Sequence, residues 1–362
     1  MTVEQNKNDA LNRSWYAEDG KDNDVVLSTR LRLARNLASF PFPSHFRGDD
    51  ADRVQTLVFD AFSKTENPDS YQTVCIENID ESGVKILAER GLLDNPVGTG
   101  LVMGPSDNIF CMVNSQDHVR IASFVSGLDS NAVYESCRNL DKQLQSSLQF
   151  AASYDFGFLT SAIKDCGSGM KISVRLHLPT LSFLGKIPEI TTLLNNNQLS
   201  IAACFGVGKS YSPALGSYYQ IATTTSCNGS ELDQIAGIVS SVTNIVETER
   251  KFRAEYAENI PTVVRNFIAR SYATAKFSNL ISAAEAIEII SNLKWGRNLG
   301  LLSGIDNKNF FALLYRIQEG HLRFVLKNAS FKFEKDIEND IQLKTNRFRA
   351  LILQEAFEKL TF

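Results

Sequence analysis

Arginines at alternate positions mark the segment from Asp24 to Leu37. Its alternation predicts a β-strand in which Arg30 and Arg32 share a face with Ser28, allowing for a slip at Thr29. Like charges crowd in this way when an anion lies between them, and the planar guanidinium fork suits phosphate. A solvated basic face on an edge strand is the alternative. The opposite, buried face would carry Leu27, Leu31 and Leu33.

A second predicted strand, from Met170 to Pro179, has the same character. Period-two alternation places Lys171, Ser173, Arg175 and His177 on one face and aliphatic residues on the other. The glycine-rich turn just before it is typical either of an anion-binding nest or of an ordinary hairpin. The sequence therefore predicts a second strand that is apolar on one face and cationic on the other.

A third segment, from Ile109 to Ile121, predicts two strands joined by a polar turn at residues 114–117. Arg120 falls on the same face as His118. Three separate strands thus each contribute cationic side chains, which is the kind of set that binds a phosphate-bearing ligand.

The stretch ACFGVGKS, residues 203–210, is one residue short of the phosphate-binding loop G-x-x-x-x-G-K-[ST]. That loop works because a helix begins directly after it and presents its N–H groups to the phosphate. Here Pro213 and Gly216 follow, and then the β-rich run from Tyr218 to Thr225. We therefore predict a glycine-rich loop between strands and no nucleotide site of this type.

The composition is that of an ordinary globular protein with 362 residues, 43% hydrophobic and 22% charged. No run reaches the eighteen or so apolar residues of a membrane span, so a cytoplasmic protein without membrane contact is expected. The six cysteines have no CxxC spacing, which argues against zinc and against a disulfide framework. They are predicted to be reduced and mostly buried.

Hydrophobic periodicity divides the chain into a polar tail at 1–20, an α+β domain at 21–255 and a helical domain at 256–362. Asp129 and Ser282 are predicted to cap helices. The net charge of −4 divides into −8 for residues 1–255 and +4 for the remainder. This asymmetry is too small to indicate nucleic-acid binding.

The motifs STRLRLARN, MVNSQDHVRI, GFLTS, GSGMKISVRLHLP and ALGSYYQI follow one another in the order and spacing of the phosphagen (ATP:guanido) kinases. The resemblance extends to SAAEAIEIISNLKWGRNLGLL near the C-terminus and is greatest to the bacterial protein-arginine kinases of the McsB type. It implies an antiparallel β-sheet flanked by helices, as in the phosphagen kinase or glutamine synthetase-like fold, with a C-terminal all-α domain. It further implies ATP and Mg²⁺ as cofactors and phosphoryl transfer to an arginine guanidinium of a protein.

The resemblance also implies roles for individual residues. Arg30, Arg32 and Arg120 match three arginines that hold the ATP phosphates, with Lys171 in place of a fourth and Phe205 in place of a fifth. Two further polar residues of the second cationic strand complete the predicted nucleotide-binding set, and no residue is assigned as a metal ligand. These two are Ser173 and Arg175.

The acidic positions of the family are altered. Gln116 stands where the resemblance places the carboxylate that holds and deprotonates the acceptor, and Ser210 replaces a second glutamate. Ala162 replaces a reactive cysteine, Gly91 a histidine near the adenine, and Asp165 an asparagine beside the phosphates. Loss of a catalytic base typically lowers a rate by about 10²–10⁴. Together these changes predict a loss above about 5 kcal/mol of transition-state stabilisation.

Two functions remain open at this point. One is a catalytically impaired protein-arginine kinase in which Asp117 or Asp165 substitutes for the lost carboxylate. The other is a non-catalytic pseudokinase, a homodimeric adaptor for protein clients in stress-response Clp proteolysis that retains the capacity to bind ATP or phosphoarginine.

The resemblance also implies that the C-terminal domain reads phosphoarginine, although the family's Arg-Asp pair is replaced by Thr345-Asn346. Arg347 or Arg349 would then have to bind the ligand. The alternative is an amphipathic terminal helix with an inward apolar side formed by Leu351, Leu353 and Phe357.

Overall fold

The computed structural model describes residues 14–93, 98–209, 211–227 and 229–362. Its centre is an antiparallel sheet that contains eight strands within these residues, in the order β2-β3-β4-β5-β1-β8-β10-β9. A two-stranded hairpin, β6-β7, stands apart from it. The strands are β1 Val26–Arg35, β2 Gln72–Cys75, β3 Gly100–Met103, β4 Ile109–Val113, β5 Val119–Ser126, β6 Ala152–Ser153, β7 Gly157–Phe158, β8 Met170–His177, β9 Leu199–Ala203 and β10 Tyr218–Thr223.

Helices flank the sheet and form the C-terminal region, which confirms the predicted fold class. They are α1 Asp50–Ser63, α2 Glu81–Glu89, α3 Ser130–Gln145, α4 Pro179–Phe183, α5 Ile187–Asn196, α6 Glu231–Glu258, α7 Thr262–Phe277, α8 Ala283–Asn298, α9 Asn307–Arg316, α10 Glu319–Asn328 and α11 Ile341–Ala356. The predicted domain boundary at 255/256 lies in the last turn of α6. We refer to residues 256–362 as the C-terminal region. Among the described residues, no helix is long and apolar enough to cross a membrane.

The apolar side chains of the central strands divide the sheet into two faces. Leu31 and Leu33 of β1 pack with Ile172 and Val174 of β8 in one core, which α3 and α6 cover. This is the apolar face that the alternation predicts. The polar residues that alternate with them along β1 and β8 lie on the opposite face, so the cationic side chains of the sheet point away from the larger core.

The predicted slip in β1 is real, but its position is different. The pairing with β8 shifts between Val26 and Ser28 rather than at Thr29. Such a bulge turns the side chains before it toward the other face. As a result Leu27 belongs to a second apolar cluster, on the cationic side of the sheet, together with residues of the C-terminal region.

This second cluster joins the C-terminal helices to one end of the cationic side. Trp15 of the N-terminal segment stacks on Phe124 of β5, with ring centroids 5.2 Å apart. The same indole meets the ring of Tyr315 in α9 edge-on at 6.2 Å. The C-terminal region therefore packs against the end of the sheet face that carries Phe124.

Two predicted helix caps are confirmed. The Asp129 carboxylate accepts a hydrogen bond from the Ala132 N–H at the start of α3, and the Ser282 hydroxyl accepts one from the Glu285 N–H at the start of α8. All six cysteines are unpaired, as predicted. The prediction that most of the cysteines are buried was wrong, since only Cys111 and Cys137 are buried.

Candidate active site

One face of the central strands carries Arg30, Arg32, Arg120 and Lys171. In the β1–β8 pair, Arg30 lies opposite Ser173 and Arg32 lies opposite Lys171. On the other side of β1, Arg120 of β5 pairs with Ala34, two residues beyond Arg32. Directly opposed residues on one sheet face have Cβ atoms about 5 Å apart and diagonal ones about 7–8 Å, so Lys171 and Arg120 are neighbours of Arg32. We call Arg30, Arg32, Arg120 and Lys171 the cationic face.

Packing orients part of this face. The guanidinium carbon of Arg30 lies 4.9 Å from the centroid of the Phe124 ring, within the range of a cation–π contact. Arg30 and Arg32 are half-buried, whereas Arg120 is only 9% exposed. Holding guanidinium groups in place before a ligand arrives lowers the entropic cost of binding an anion.

Lys171 is not an isolated cation. Its Nζ lies 2.8 Å from Oδ1 of Asp165, and the two side chains are 20% and 11% exposed. Asp165 ends a short 3-10 turn that begins at Ile163. A carboxylate at this distance cancels most of the ammonium's field at longer range. The sequence predicted both residues at the site, but it did not predict that they pair with each other.

The turn between β4 and β5 carries Gln116, which is half-buried. Its neighbour Asp117 is 3% exposed, and its Oδ1 accepts hydrogen bonds from Asn36 Nδ2 at 2.8 Å and from the Ser161 N–H at 2.7 Å. Asp117 therefore links the turn to the end of β1 and to the segment before the 3-10 turn. In this arrangement its carboxylate stabilises the loops around the site.

His118 is also part of this framework. Its Nδ1 accepts a hydrogen bond from the Leu37 N–H, so Nε2 carries the proton and donates to the Pro41 carbonyl. The ring stacks on Phe46 with centroids 5.2 Å apart. Burial lowers the pKa of His118, which keeps the ring neutral.

The remaining polar residues of β8 turn toward the C-terminal region. Arg175 donates to Gln220 Oε1 and to the Tyr315 hydroxyl, both at 3.4 Å. His177 is hydrogen-bonded through Nε2 to Ser291 of α8 at 2.8 Å. Burial lowers the pKa of His177 well below its usual value, and the nearby cation of Lys294 acts in the same direction. The predicted polar row on β8 is thus divided, with only its first half beside the arginines of β1.

Sequence reasoning missed a charged cluster at the start of β1. Asp24 accepts hydrogen bonds from Arg250 and Arg253, one helical turn apart on α6. Burial alone would raise the pKa of Asp24, but these bonds lower it to about 2. Lys294 of α8 donates to the carbonyls of Asn23 and Asp24, both at 2.9 Å. The i, i+3 spacing of the two arginines indicates that they share one side of a helix. It could not identify Asp24 as their partner, which lies more than 220 residues away in sequence.

Two family models match the chain. Residues 53–252 match the model of the ATP:guanido phosphotransferase C-terminal catalytic domain, and residues 261–361 match that of the protein-arginine kinase McsB C-terminal domain. The chain belongs to the ATP:guanido phosphotransferase family.

Known relatives agree with this family. The chain is 29% identical over 346 residues to a protein-arginine kinase of Halothermothrix orenii, with 93% of this chain and 98% of the relative covered. It is 29% identical over 341 residues to a protein-arginine kinase of Clostridium acetobutylicum, covering 92% and 99%. Among solved structures, the duplicated taurocyamine kinase of Schistosoma mansoni, with bound transition-state analogue components, matches with a TM-score of 0.57 at 21% identity. The match covers 72% of this chain and 38% of the taurocyamine kinase chain.

Two residues that the resemblance marks as substitutions lie in packed surroundings. The ring of Phe205 meets Tyr218 edge-on at 5.7 Å, in the cluster shared with the C-terminal region. Gly91 has φ +71°, and a Cβ there would lie 3.2 Å from Nη2 of Arg175. The histidine implied by the resemblance would therefore be strained at position 91 and would crowd Arg175.

The loop that imitates a phosphate-binding loop connects β9 with β10. Its Lys209 lies 3.4 Å from Oε2 of Glu288 in α8, and the described residues between β9 and β10 form no α-helix. This agrees with the prediction of a glycine-rich loop between strands. Ser210, predicted to replace a substrate-side glutamate, lies outside the described residues.

The C-terminal arginines are structural in this fold. Arg349 is fully buried and donates to the carbonyls of Ile317 and Ile281 and to Asn346 Oδ1. Arg347 pairs with Glu334 at 3.1 Å. The amphipathic-helix interpretation is correct for Leu353 and Phe357, which are buried, and wrong for Leu351, which is exposed.

Proposed function

We propose that the protein is a cytoplasmic, protein-arginine kinase-like phosphotransferase that binds ATP and transfers its phosphoryl group to protein arginine at a severely reduced rate. Family membership supports the reaction class. The cationic face supports nucleotide binding, because guanidinium groups on adjacent strands suit the closely spaced charges of a polyphosphate.

The residues present fit an ATP–Mg²⁺ complex. Arg30, Arg32 and Arg120 would contact the phosphate oxygens, and Ser173, directly opposite Arg30, offers a hydroxyl to the same ligand. Mg²⁺, when bound with the nucleotide, would neutralise part of the negative charge on the phosphates. Within the described residues no cluster of three or more His, Cys, Asp or Glu side chains could hold a metal ion. We therefore assign the ion to the nucleotide rather than to a protein cage.

The carboxylates around the site carry the proposal of impairment. Gln116 has an amide where the resemblance places the base, and an amide neither takes up a proton nor attracts a guanidinium cation by charge. The two nearby candidates for a substitute are both engaged. Asp117 accepts two hydrogen bonds while almost fully buried, and Asp165 is paired with Lys171.

These losses act on the step that the family performs by positioning and electrostatics. A preorganised group that stabilises developing charge is worth roughly 3 kcal/mol, and a base contributes about 10²–10⁴ in rate. We therefore expect the transition state to be less stabilised by more than about 5 kcal/mol, even when the losses are not additive. This corresponds to a rate lower by more than about 10³.

A non-catalytic role is the second candidate. The same engaged carboxylates favour it, since a chain without an acceptor-side base can still bind nucleotide or protein. In this form the protein would be a homodimeric adaptor for protein clients of stress-response Clp proteolysis, as the resemblance of its C-terminal region implies.

Two measurements on the purified protein separate these candidates. ATP binding is measured by calorimetry in the presence of Mg²⁺, and transfer is measured as acid-labile label from γ-labelled ATP on an unfolded protein acceptor. Slow transfer that disappears in Arg120→Ala supports the impaired kinase. Nucleotide binding without detectable transfer supports the adaptor, and loss of both in the folded wild-type protein contradicts the proposed nucleotide site.

A further inference from the structure

Three large apolar side chains beside the candidate site are exposed to solvent. Tyr154 and Phe156, at the tip of the β6-β7 hairpin, are 104% and 66% exposed, and Ile163, at the start of the 3-10 turn, is 88% exposed. A backbone bridge between Gly157 and Gly167 joins the hairpin to the segment that follows the turn. We call Tyr154, Phe156 and Ile163 the rim patch. Large apolar side chains exposed on two joined segments are typical of an interaction surface.

The backbone beneath the rim patch is fixed. Phe158 and Gly167 exchange two hydrogen bonds, at 2.8 and 3.1 Å. Gly157 has φ +64°, and a Cβ there would lie 2.7 Å from the Gly167 carbonyl oxygen, so the two segments are in close contact. The Arg35 guanidinium lies 3.6 Å from the centroid of the Phe158 ring. The exposed rings are therefore presented from a held backbone, which reduces the entropy lost when a partner binds.

The segment that carries Ile163 is bonded to two loops of the candidate site. The turn that begins with Ile163 ends with Asp165, which is paired with Lys171 of the cationic face. Two residues before Ile163, the Ser161 N–H donates to Asp117, next to Gln116. A chain lying on the patch would thus pass beside the turn that carries Gln116.

We propose that the rim patch binds an unfolded polypeptide segment in which an arginine is flanked by apolar residues. The exposed carboxylate of Asp155 lies between the two aromatic residues in sequence, and a carboxylate with neighbouring rings favours a guanidinium. Lys164, exposed beside Ile163, places a positive charge at the other end of the patch. The arginine is therefore favoured at the hairpin end, with the apolar flank on Ile163. This inference rests on the proposed function for the identity of the acceptor.

The test measures binding without nucleotide, so it does not depend on catalysis. The probe is fluorescein-labelled, reduced and carboxymethylated α-lactalbumin, and the readout is fluorescence anisotropy. In the variant Tyr154→Ser/Phe156→Ser/Ile163→Ser we expect at least about tenfold weaker binding. The matched control removes exposed leucines from helices elsewhere and should stay within twofold of wild type. Its substitutions are Leu57→Ser, Leu193→Ser and Leu232→Ser, at residues that are 42%, 59% and 64% exposed.

A second arm tests the arginine. The same probe with its arginines blocked by phenylglyoxal should bind wild type less tightly, and Asp155→Asn should reduce the difference between the two probes. Equal binding of both probes to wild type contradicts the assignment of arginine.

Two binding results would contradict the proposal that the rim patch binds polypeptide. In one, the folded wild type does not bind the probe. In the other, the patch variant binds the probe as tightly as the control variant does. A patch variant that is monomeric in sedimentation while wild type and control are dimeric would assign the patch to a second copy of this chain. Patch-dependent binding in a protein without transferase activity would leave the surface intact and refute only the proposed reaction.

Discussion

The ammonium of Lys171 and the carboxylate of Asp165 form an ion pair at 2.8 Å on the sheet face that also carries Arg32. Both residues differ from what the family resemblance implies, since an arginine and an asparagine are expected at these positions. In this structure the two charges are paired with each other. Lys171 thus places a cation beside Arg32, but its charge is balanced within the protein.

Breaking this ion pair should strengthen nucleotide binding. In Asp165→Asn the ammonium of Lys171 is no longer neutralised, so its attraction for phosphate increases. We expect ATP–Mg²⁺ to bind about threefold to tenfold more tightly, on the order of 1 kcal/mol, as measured by calorimetry. Asp155→Asn, which removes a carboxylate from the exposed hairpin, is the charge-matched control and should have little effect. Unchanged or weaker affinity in Asp165→Asn would show that Lys171 does not contact the nucleotide.

Restoring one carboxylate should not restore the enzyme. Gln116→Glu places a carboxylate where the resemblance implies a base, but Lys171 remains neutralised, and Phe205 stands where the resemblance implies an arginine. We expect the rate constant for arginine phosphorylation to rise less than tenfold, compared with the roughly 10²–10⁴ that a base contributes in an otherwise intact site. Gln116→Ala controls for loss of the amide. A rise above a hundredfold in single-turnover kinetics would assign the deficit to Gln116 alone.

Alternation and local motifs were sufficient to predict which residues of β8, and of β1 after its slip, share a face. Period two determines the face once a strand is correctly identified, and the apolar residues of the other face confirm the register. The slip in β1 was placed two residues too late, because a bulge depends on the partner strand and on the packing of Leu27 against the C-terminal helices.

The contacts made by individual polar residues were not predictable. The pairing of Lys171 with Asp165 depends on a 3-10 turn whose geometry the sequence does not specify. The division of β8 arises because Arg175 and His177 meet Tyr315 and Ser291, which are more than a hundred residues away in sequence. Periodicity gives the direction of a side chain, but it does not identify the distant element that packs there.

Lys294 should make stability depend on pH. Burial has the largest effect on the pKa of Lys294 and lowers it to about 7. The nearby carboxylate of Asp24 acts in the opposite direction and raises the pKa. In the unfolded chain the lysine keeps its proton up to about pH 10.4. Between about pH 7 and pH 10 the unfolded state therefore binds more protons, so the free energy of unfolding should rise with pH.

Urea unfolding of wild type and Lys294→Met across this range measures the effect. The difference between the two free energies should grow in favour of wild type as pH increases. Lys308→Met, at a half-buried position where the ammonium pairs with the exposed Asp19, should show no such trend. A difference that is constant with pH would mean that Lys294 stays protonated when buried.

Arg349 should be essential for stability rather than for ligand recognition. Arg349→Met leaves the carbonyls of Ile317 and Ile281 without their donor in a buried position, which should lower the free energy of unfolding by about 3 kcal/mol. Arg347→Met, which removes one ion pair with Glu334, should cost less than about 1 kcal/mol. Urea denaturation compares the two variants directly. Equal losses would indicate that Arg349 does not hold α11 in place.

The most direct test of impaired transfer is the rate of arginine phosphorylation on one unfolded acceptor, measured beside the protein-arginine kinase of Halothermothrix orenii with γ-labelled ATP and Mg²⁺. We predict a rate constant lower by at least about 10³, since Gln116 carries an amide where the resemblance implies the base and the nearby carboxylates are engaged. Any residual label should be lost in Arg120→Ala. A rate within tenfold of the relative, also dependent on Arg120, would contradict impaired transfer and establish an active kinase with a different base.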